Sequence, residues 1–453
     1  MSKRSVVVVG ALGFAVLGVC MAGWSFQNGY TADDHFMRAL FKGFPGLDGL
    51  ERASLETFSF SKGNSAENEW LRDKGVFPWW AVSSAKLYFF RPAASLTHWL
   101  DFYLWGDRAA PMHAQNILWY ALLCALVFLL LAELFGCTYV AVIAAFLYAM
   151  NETNGAAIGW ISSRNTLMVA CATVAVLIAH HRWRTTGQDR WAVAAVTMFG
   201  VGLLCGEGAI SVCCYLFAYA LFLDARAWTK RIQPLLPYVV VSVVYLALHR
   251  HYGFGSAGSA WYTDPGEDFS GWLRLLSTNI PILFFTELVV WPSPVLSVSP
   301  PHVYAYFAMM LAGTALILFL LTPTLRASPV ARFLLLGAVL SLVPVSSVIA
   351  QPRVLTISSI GVMAVIAQFI SHWINGRQFQ RLLVIVLVLT LVIRVADAWL
   401  RLGTLLFPIA ALILAALFYC CCGLARKQTI ACPAAGELEY LPERYFACGY
   451  SHT

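Results

Sequence analysis

Charged side chains are scarce in this chain of 453 residues. They make up 12% of the residues, whereas an ordinary globular domain carries about 25%. Apolar residues reach 60%, above the usual share of about 45–50%. A soluble fold of this size needs more polar residues to cover its surface, but membrane-spanning helices present apolar side chains to lipid. The shortage of charge therefore excludes a soluble fold and predicts a polytopic integral membrane protein.

Paired metal-binding cysteine motifs and internal repeats are also lacking. The twelve cysteines include no CxxC pair with a matching second pair, which argues against a zinc site. Most of them lie in or beside apolar runs, where cysteine behaves as a small hydrophobic residue. We expect no metal and no cofactor. A transporter would carry inverted repeats and broken helices near the membrane midplane, and the sequence contains no such duplication.

Twelve apolar runs are long enough to span a membrane or to be buried among other spans. They predict an all-α bundle of about 11–13 transmembrane helices, with one membrane domain at 1–425 and a short cytoplasmic tail at 426–453. A further run at 272–291 carries Arg274 and Glu287, and we interpret it as a re-entrant or interfacial helix. The predicted spans are 5–26, 117–135, 139–150, 166–179, 191–205, 209–223, 235–248, 303–321, 333–350, 354–370, 382–395 and 403–422.

The net charge of +7 comes from small Lys and Arg groups between the apolar runs. This distribution is typical of cytoplasmic loops in membrane proteins and not of a nucleic-acid site, so no nucleic-acid partner is expected. With one crossing per run, and with 272–291 not crossing, six groups fall on one side. They are Lys3 and Arg4; Arg182, Arg184 and Arg190; Arg226, Lys230 and Arg231; Arg326 and Arg332; Arg377 and Arg381; Arg426 and Lys427.

This topology leaves a long exoplasmic loop at 27–111, between the first two spans. Loops of this length in compact proteins are usually functional. Asp33–Lys42 and 95–105 are amphipathic and are predicted to form helices at the membrane surface.

The first candidates for catalysis are Asp33 and Asp34, which follow the first span. Acidic residues in a first helical turn favour its positive end, and Thr31 could cap that helix, so a structural role is the simpler alternative. At an outer membrane surface, a carboxylate can also act as general base on a hydroxyl group.

Several basic residues lie at the same predicted side as this pair. Arginines at span ends require anionic partners or water, and either lipid headgroups or a bound phosphate would satisfy them. Glu207 either belongs to the site or pairs with one of the arginines. His113 and Asn116 lie about one helical turn apart and either contact substrate or tie the loop to the bundle. The arginines are Arg91, Arg164, Arg250 and Arg353.

Four stretches resemble the GT-C superfamily of glycosyltransferases that use polyprenyl-phosphate sugars. The likeness is closest to protein O-mannosyltransferases and to transmembrane, TPR-containing O-mannosyltransferases with their bacterial relatives, without the TPR part. Gln351 and Pro352 replace the glutamate context usual before the family's arginine. The stretches are the acidic pair at 33–34, FFRPAASLTHWLDFYLWGDRAAPMHAQNILWY at 89–120, NETNGAAIGWISSRNTL at 151–167 and QPRVLTISSIG at 351–361.

The resemblance implies an inverting hexosyltransferase that moves a sugar from a polyprenyl-phosphate donor to a hydroxyl group. It implies that Asp33 is the base, with Asp34 as a substitute, and that Arg353, with Arg91 or Arg164, stabilises the leaving phosphate. Membrane lipids and a protein or glycan acceptor are the implied partners, and a membrane-protein partner is expected to bring the acceptor. The site would face the periplasm from a bacterial inner membrane, or the lumen from the endoplasmic reticulum. A non-catalytic assembly partner with the same fold, or a transporter, is the alternative.

Overall fold

A computed structural model describes residues 3–43, 53–136, 138–259, 261–289 and 303–374. The described chain is mainly helical, with one small antiparallel sheet. The helices are α1 (Lys3–Ala22), α2 (Asp33–Lys42), α3 (Ser65–Asp73), α4 (Pro92–Trp105), α5 (Ala109–Phe135), α6 (Thr138–Ala149), α7 (Gly155–Gly159), α8 (Arg164–Thr186), α9 (Asp189–Cys205), α10 (Val212–Phe222), α11 (Trp228–Ile232), α12 (Leu236–His251), α13 (Phe269–Val289), α14 (Val303–Ala327), α15 (Pro329–Val345) and α16 (Ser358–Ile374). The strands are β1 (Ser59–Lys62), β2 (Lys86–Tyr88) and β3 (Gly255–Ala257).

Five helical segments in the described part of the chain are long and apolar enough to cross a membrane: Ser5–Gln27, Ala109–Phe135, Ile161–Thr186, Trp228–His251 and Phe307–Ala327. Four shorter apolar helices accompany them. These helices confirm an all-α polytopic membrane protein. The predicted spans at 382–395 and 403–422 and the tail at 426–453 lie outside the described residues, so the total number of spans stays a prediction.

The helices pack through small residues and aromatic rings. Helix α1 lies along α5, where a Cβ atom on Gly18 would approach the Ala121 Cα to 2.9 Å. Phe14 stacks on Phe128 at the same contact, with ring centroids 5.0 Å apart. Within lipid, the hydrophobic effect does not drive helices together. Close approach of the backbones and packing of the rings stabilise such a helix pair instead.

The first loop folds against the bundle through a sheet that the sequence analysis did not predict. Strand β2 is central and pairs antiparallel with both β1 and β3. Strands β1 and β2 belong to the first loop, whereas β3 follows α12. A second apolar cluster of Leu71, Phe77, Ala81 and Ala85 forms a small core within this loop. The loop is therefore a folded cap, and not only a pair of surface helices.

Helix α13 occupies the segment that we predicted to be re-entrant or interfacial. It packs against α14 and α15, and whether it crosses the membrane stays a prediction. Backbone hydrogen bonds from Thr263 N to Ser347 O (2.8 Å) and from Ile349 N to Trp261 O (3.1 Å) join the two chain segments beside it. This pairing brings 261–263 next to the short 3₁₀ turn Pro352–Thr356.

Candidate functional site

A large cavity lies between the folded first loop and the helical bundle. Its volume is about 840 Å³, and it is open on one side. Asp33 and Arg353 both line it, although they are separated by most of the chain. Aromatic side chains form much of the remaining wall: Phe36, Phe60, Phe77, Phe89, Trp160, Trp261 and Tyr262. Asp33 thus shares a largely apolar cavity with Arg353 and with two further basic side chains, Arg38 and Lys74.

Asp33 is the first residue of α2, and its side chain is half-buried. The preceding Ala32 has φ 46° and ψ −116°, a backbone conformation that is strained for a residue with a Cβ atom. Burial raises the pKa of the Asp33 carboxyl, while the positive charges of Arg353 and Arg91 act to lower it and Asp34 acts to raise it. This environment favours a carboxylate that gains a proton more readily than an exposed aspartate.

Asp34 points into the protein and not into the cavity. It is 2% exposed, and its carboxylate accepts hydrogen bonds from the backbone N–H groups of Ser162 (2.7 Å) and Thr31 (3.0 Å). Burial raises its pKa, and these two hydrogen bonds oppose that effect. Asp34 therefore ties the start of α2 to the turn Ile161–Ser163, and the expected side-chain cap from Thr31 is not formed.

Arg353 lies in the turn Pro352–Thr356 and projects between two aromatic residues. Its guanidinium carbon is 4.5 Å from the centre of the Trp160 ring, and its Nη2 donates to the Tyr262 hydroxyl at 3.5 Å. In the described part of the chain it forms no ion pair. Its positive charge is therefore available to an anionic ligand.

A smaller cavity of about 160 Å³ shares Arg353 and Tyr262 with the larger one. Arg91 and Glu207 line it and form a bidentate ion pair, in which Arg91 Nε donates to Glu207 Oε2 at 2.9 Å. The Arg91 guanidinium also lies 4.5 Å from the centre of the Phe89 ring. The sequence analysis left open whether Glu207 pairs with an arginine, and the structure contains this pair.

Arg164 is fully buried and does not line either cavity. It forms an ion pair with Asp101 at 2.5 Å and donates to Asn116 Oδ1 at 2.7 Å and to the Met112 carbonyl at 3.0 Å. The expected contact of Arg164 with a phosphate in the cavity has no support in this geometry. The side chain instead joins α4, α5 and α8.

His113, Asn116 and Arg250 also lie away from both cavities. His113 Nε2 is 3.2 Å from the Gly29 carbonyl oxygen, and Asn116 Nδ2 donates to the Trp160 carbonyl at 3.1 Å. Both residues tie the start of the first loop and the Trp160 segment to α5. Arg250 is exposed near the end of α12. The cavities therefore bring together Asp33, Arg91, Glu207 and Arg353 from the nine predicted site residues.

Trp160 and Tyr262 were missed as individual site residues by the sequence analysis. Trp160 lies within the stretch that resembles the family, but only its arginine was selected. Tyr262 is in a polar connection with no motif around it, so it had no signal in the sequence.

One of the comparisons with known proteins found a family match. The family model described as dolichyl-phosphate-mannose-protein mannosyltransferase matches residues 91–250, about a third of the chain. No curated protein and no solved structure matched. The family match confirms the resemblance to the GT-C O-mannosyltransferases and supports a multi-pass membrane glycosyltransferase of the mannosyltransferase type. The matched region includes Arg91 and Glu207 but neither Asp33 nor Arg353, so the roles of these two rest on their position in the cavity.

Proposed function

We propose that this membrane protein transfers a hexose, with mannose as the first candidate, from a polyprenyl-phosphate donor to a hydroxyl group of an acceptor protein. The observation that carries the proposal is that Asp33 and Arg353 line one cavity. The family description names a dolichyl-phosphate sugar and a protein as the substrates of that family. The exoplasmic placement of the site follows from the predicted loop topology and is part of the proposal.

In the proposed step, Asp33 removes the proton from the acceptor hydroxyl as its oxygen attacks the anomeric carbon. The bond between that carbon and the phosphate oxygen breaks, the configuration inverts, and polyprenyl phosphate leaves with the bonding electrons. A positioned general base contributes about 10²–10⁴-fold to such a reaction. The half-buried position of Asp33 at the cavity wall provides a carboxylate with access to a hydroxyl group.

The leaving phosphate gains negative charge, and Arg353 is the cation that stabilises it in this proposal. A preorganised charge partner of this kind contributes about 10²–10³-fold to the rate. Trp160 and Tyr262 both contact the guanidinium, which reduces the reorganisation needed during the reaction. Arg91 lines the adjoining cavity, but its ion pair with Glu207 neutralises its charge, so this step assigns it no part.

The size and lining of the larger cavity fit a small polar group in a mostly apolar enclosure. Ligand sites commonly have volumes of about 300–1,000 Å³ with a few polar groups among aromatic walls, and this cavity falls within that range. A sugar ring and the acceptor side chain would occupy it, with the phosphate at the end where Arg353 lies.

The test is the release of polyprenyl phosphate from a labelled lipid-linked sugar by purified protein in the presence of an acceptor protein that carries hydroxyl groups. Asp33→Asn should lower the release by about 10²–10⁴-fold while the protein still inserts and folds. Asp73→Asn is the matched control, because Asp73 is an exposed carboxylate of the same loop and does not line the cavity. Near-normal turnover by Asp33→Asn would exclude Asp33 as the base. No release by the wild-type protein with any plausible donor or acceptor would favour a non-catalytic assembly partner.

A further inference from the structure

Among the polar side chains of helix α13, Trp272, Asn279 and Glu287 form hydrogen bonds to other segments of the chain. Their spacings of seven and eight residues correspond to about two helical turns each, so the three side chains lie along one side of the helix. Asn279 is 5% exposed and Glu287 is 1% exposed. Burial of polar groups is unfavourable unless they are hydrogen-bonded, so the partners of this row indicate what it does.

The first two side chains hold the chain that leads to Arg353. Trp272 Nε1 donates to Ser347 Oγ at 3.1 Å. Asn279 Nδ2 donates to the carbonyl oxygens of Ser346 (3.2 Å) and Val348 (2.9 Å). These bonds secure three consecutive residues that lie five to seven positions before Arg353.

The third side chain holds the chain that follows Arg353. Ser358 Oγ donates to Glu287 Oε2 at 3.2 Å, and Asn151 Nδ2 donates to Glu287 Oε1 at 3.3 Å. Asn151 also donates to Ser359 Oγ at 3.1 Å. Glu287 forms no ion pair with any residue that the structure describes, so hydroxyl and amide groups are its hydrogen-bond partners there.

We propose that Asn279 and Glu287 are positioning residues that fix Arg353 from both sides of its turn. The two side chains lie eight residues apart on one helix, a rise of about 12 Å along its axis, and the segment between their contacts contains Arg353. Releasing either end would let the guanidinium move away from Trp160 and Tyr262. The consequence for sugar transfer rests on the proposed function, whereas the consequence for the location of residue 353 does not.

The first experiment measures kcat and the KM for the lipid-linked donor. Glu287→Ala should lower kcat/KM by roughly 10- to 100-fold, because small displacements of a charge partner have effects of this size. Glu287→Gln should stay within about threefold of wild type, because its amide oxygen still accepts from Asn151 and its amide nitrogen donates to the Ser358 hydroxyl oxygen, which reverses that hydrogen bond but keeps it. Asn279→Asp replaces the donor with an acceptor of the same shape and should lower kcat/KM by a similar factor. It provides the test if Glu287→Ala does not fold.

Thr286→Val is the matched control, since it removes a neighbouring buried hydroxyl of α13 for which the described residues give no hydrogen bond to 346–359.

The second experiment needs no activity. Arg353→Cys is combined with each change, and modification at position 353 by a water-soluble maleimide is followed by mass spectrometry.

The maleimide rate should change at least fivefold with Glu287→Ala or Asn279→Asp and stay unchanged with Glu287→Gln or Thr286→Val. Unchanged labelling with both disruptive variants would overturn the proposal, even if the wild type proves to be a glycosyltransferase. If the disruptive variants alter labelling at position 353 but the wild-type protein releases no polyprenyl phosphate, the positioning role is retained and the proposed function is rejected.

Discussion

Arg164 and Arg353 were both expected to bind phosphate, and the structure predicts opposite effects for their replacement by methionine. Arg164→Met removes the cation from a pair whose side chains are 0% and 1% exposed, leaving the Asp101 carboxylate buried without its partner. Breaking a buried pair in this way destabilises a protein by about 3–5 kcal/mol, which is roughly 10²- to 10⁴-fold in the folding equilibrium. Arg353→Met breaks no ion pair among the described residues, so its effect on stability should be small.

The assay compares the fraction of each detergent-solubilised variant that survives a heating series with its turnover per folded molecule. Arg164→Met should lose folded protein at a much lower temperature but retain turnover for the molecules that remain folded. Arg353→Met should melt near wild type and lose about 10²–10³-fold in turnover. A normal melting temperature for Arg164→Met would refute the argument that this pair is a structural contact, and normal turnover for Arg353→Met would refute the role of Arg353.

Three further predictions concern the carboxylates around the cavity. Burial raises the pKa of Asp33, and a general base must be ionised to act. Transfer should therefore be lost as the pH falls through a value above the ordinary aspartate pKa of about 3.9. A pH profile of kcat/KM tests this, and an acidic limb at or below that value contradicts it. Asp34→Asn should lower stability by about 1–3 kcal/mol, since one buried backbone N–H loses its acceptor, yet turnover per folded molecule should persist. Glu207→Gln should free Arg91 for the phosphate and tighten product inhibition by polyprenyl phosphate, and unchanged inhibition would show that Arg91 does not reach it.

The helical class was predictable because apolar composition and run length follow directly from a membrane environment. Helix α2 has the predicted bounds, and α4 begins three residues before the predicted start because Pro92 is suited to a first helical turn. The sheet was not predictable in the same way. Its third strand, Gly255–Ala257, is short and glycine-containing, and it is separated from the other two by several helices. Such pairing depends on tertiary contacts and not on a local pattern.

The site was predicted in part for a related reason. Motif order and topology brought Asp33 and Arg353 into consideration together, and the structure places both in one cavity. Charge alone did not distinguish an arginine that is available to a ligand from one that is consumed by an internal pair. That distinction depends on whether a carboxylate from another helix lies within reach, as Asp101 does for Arg164.

The sheet also constrains the order of events during biosynthesis. About 170 residues separate the end of β2 from the start of β3, and a ribosome adds about 5–20 residues per second. A nascent chain must therefore wait about 10–30 s after making the second strand before the third becomes available, and Arg353 emerges later still. During translation, the segment that carries Asp33 remains an unfinished cap, and the complete cavity exists only after most of the helices have been synthesised.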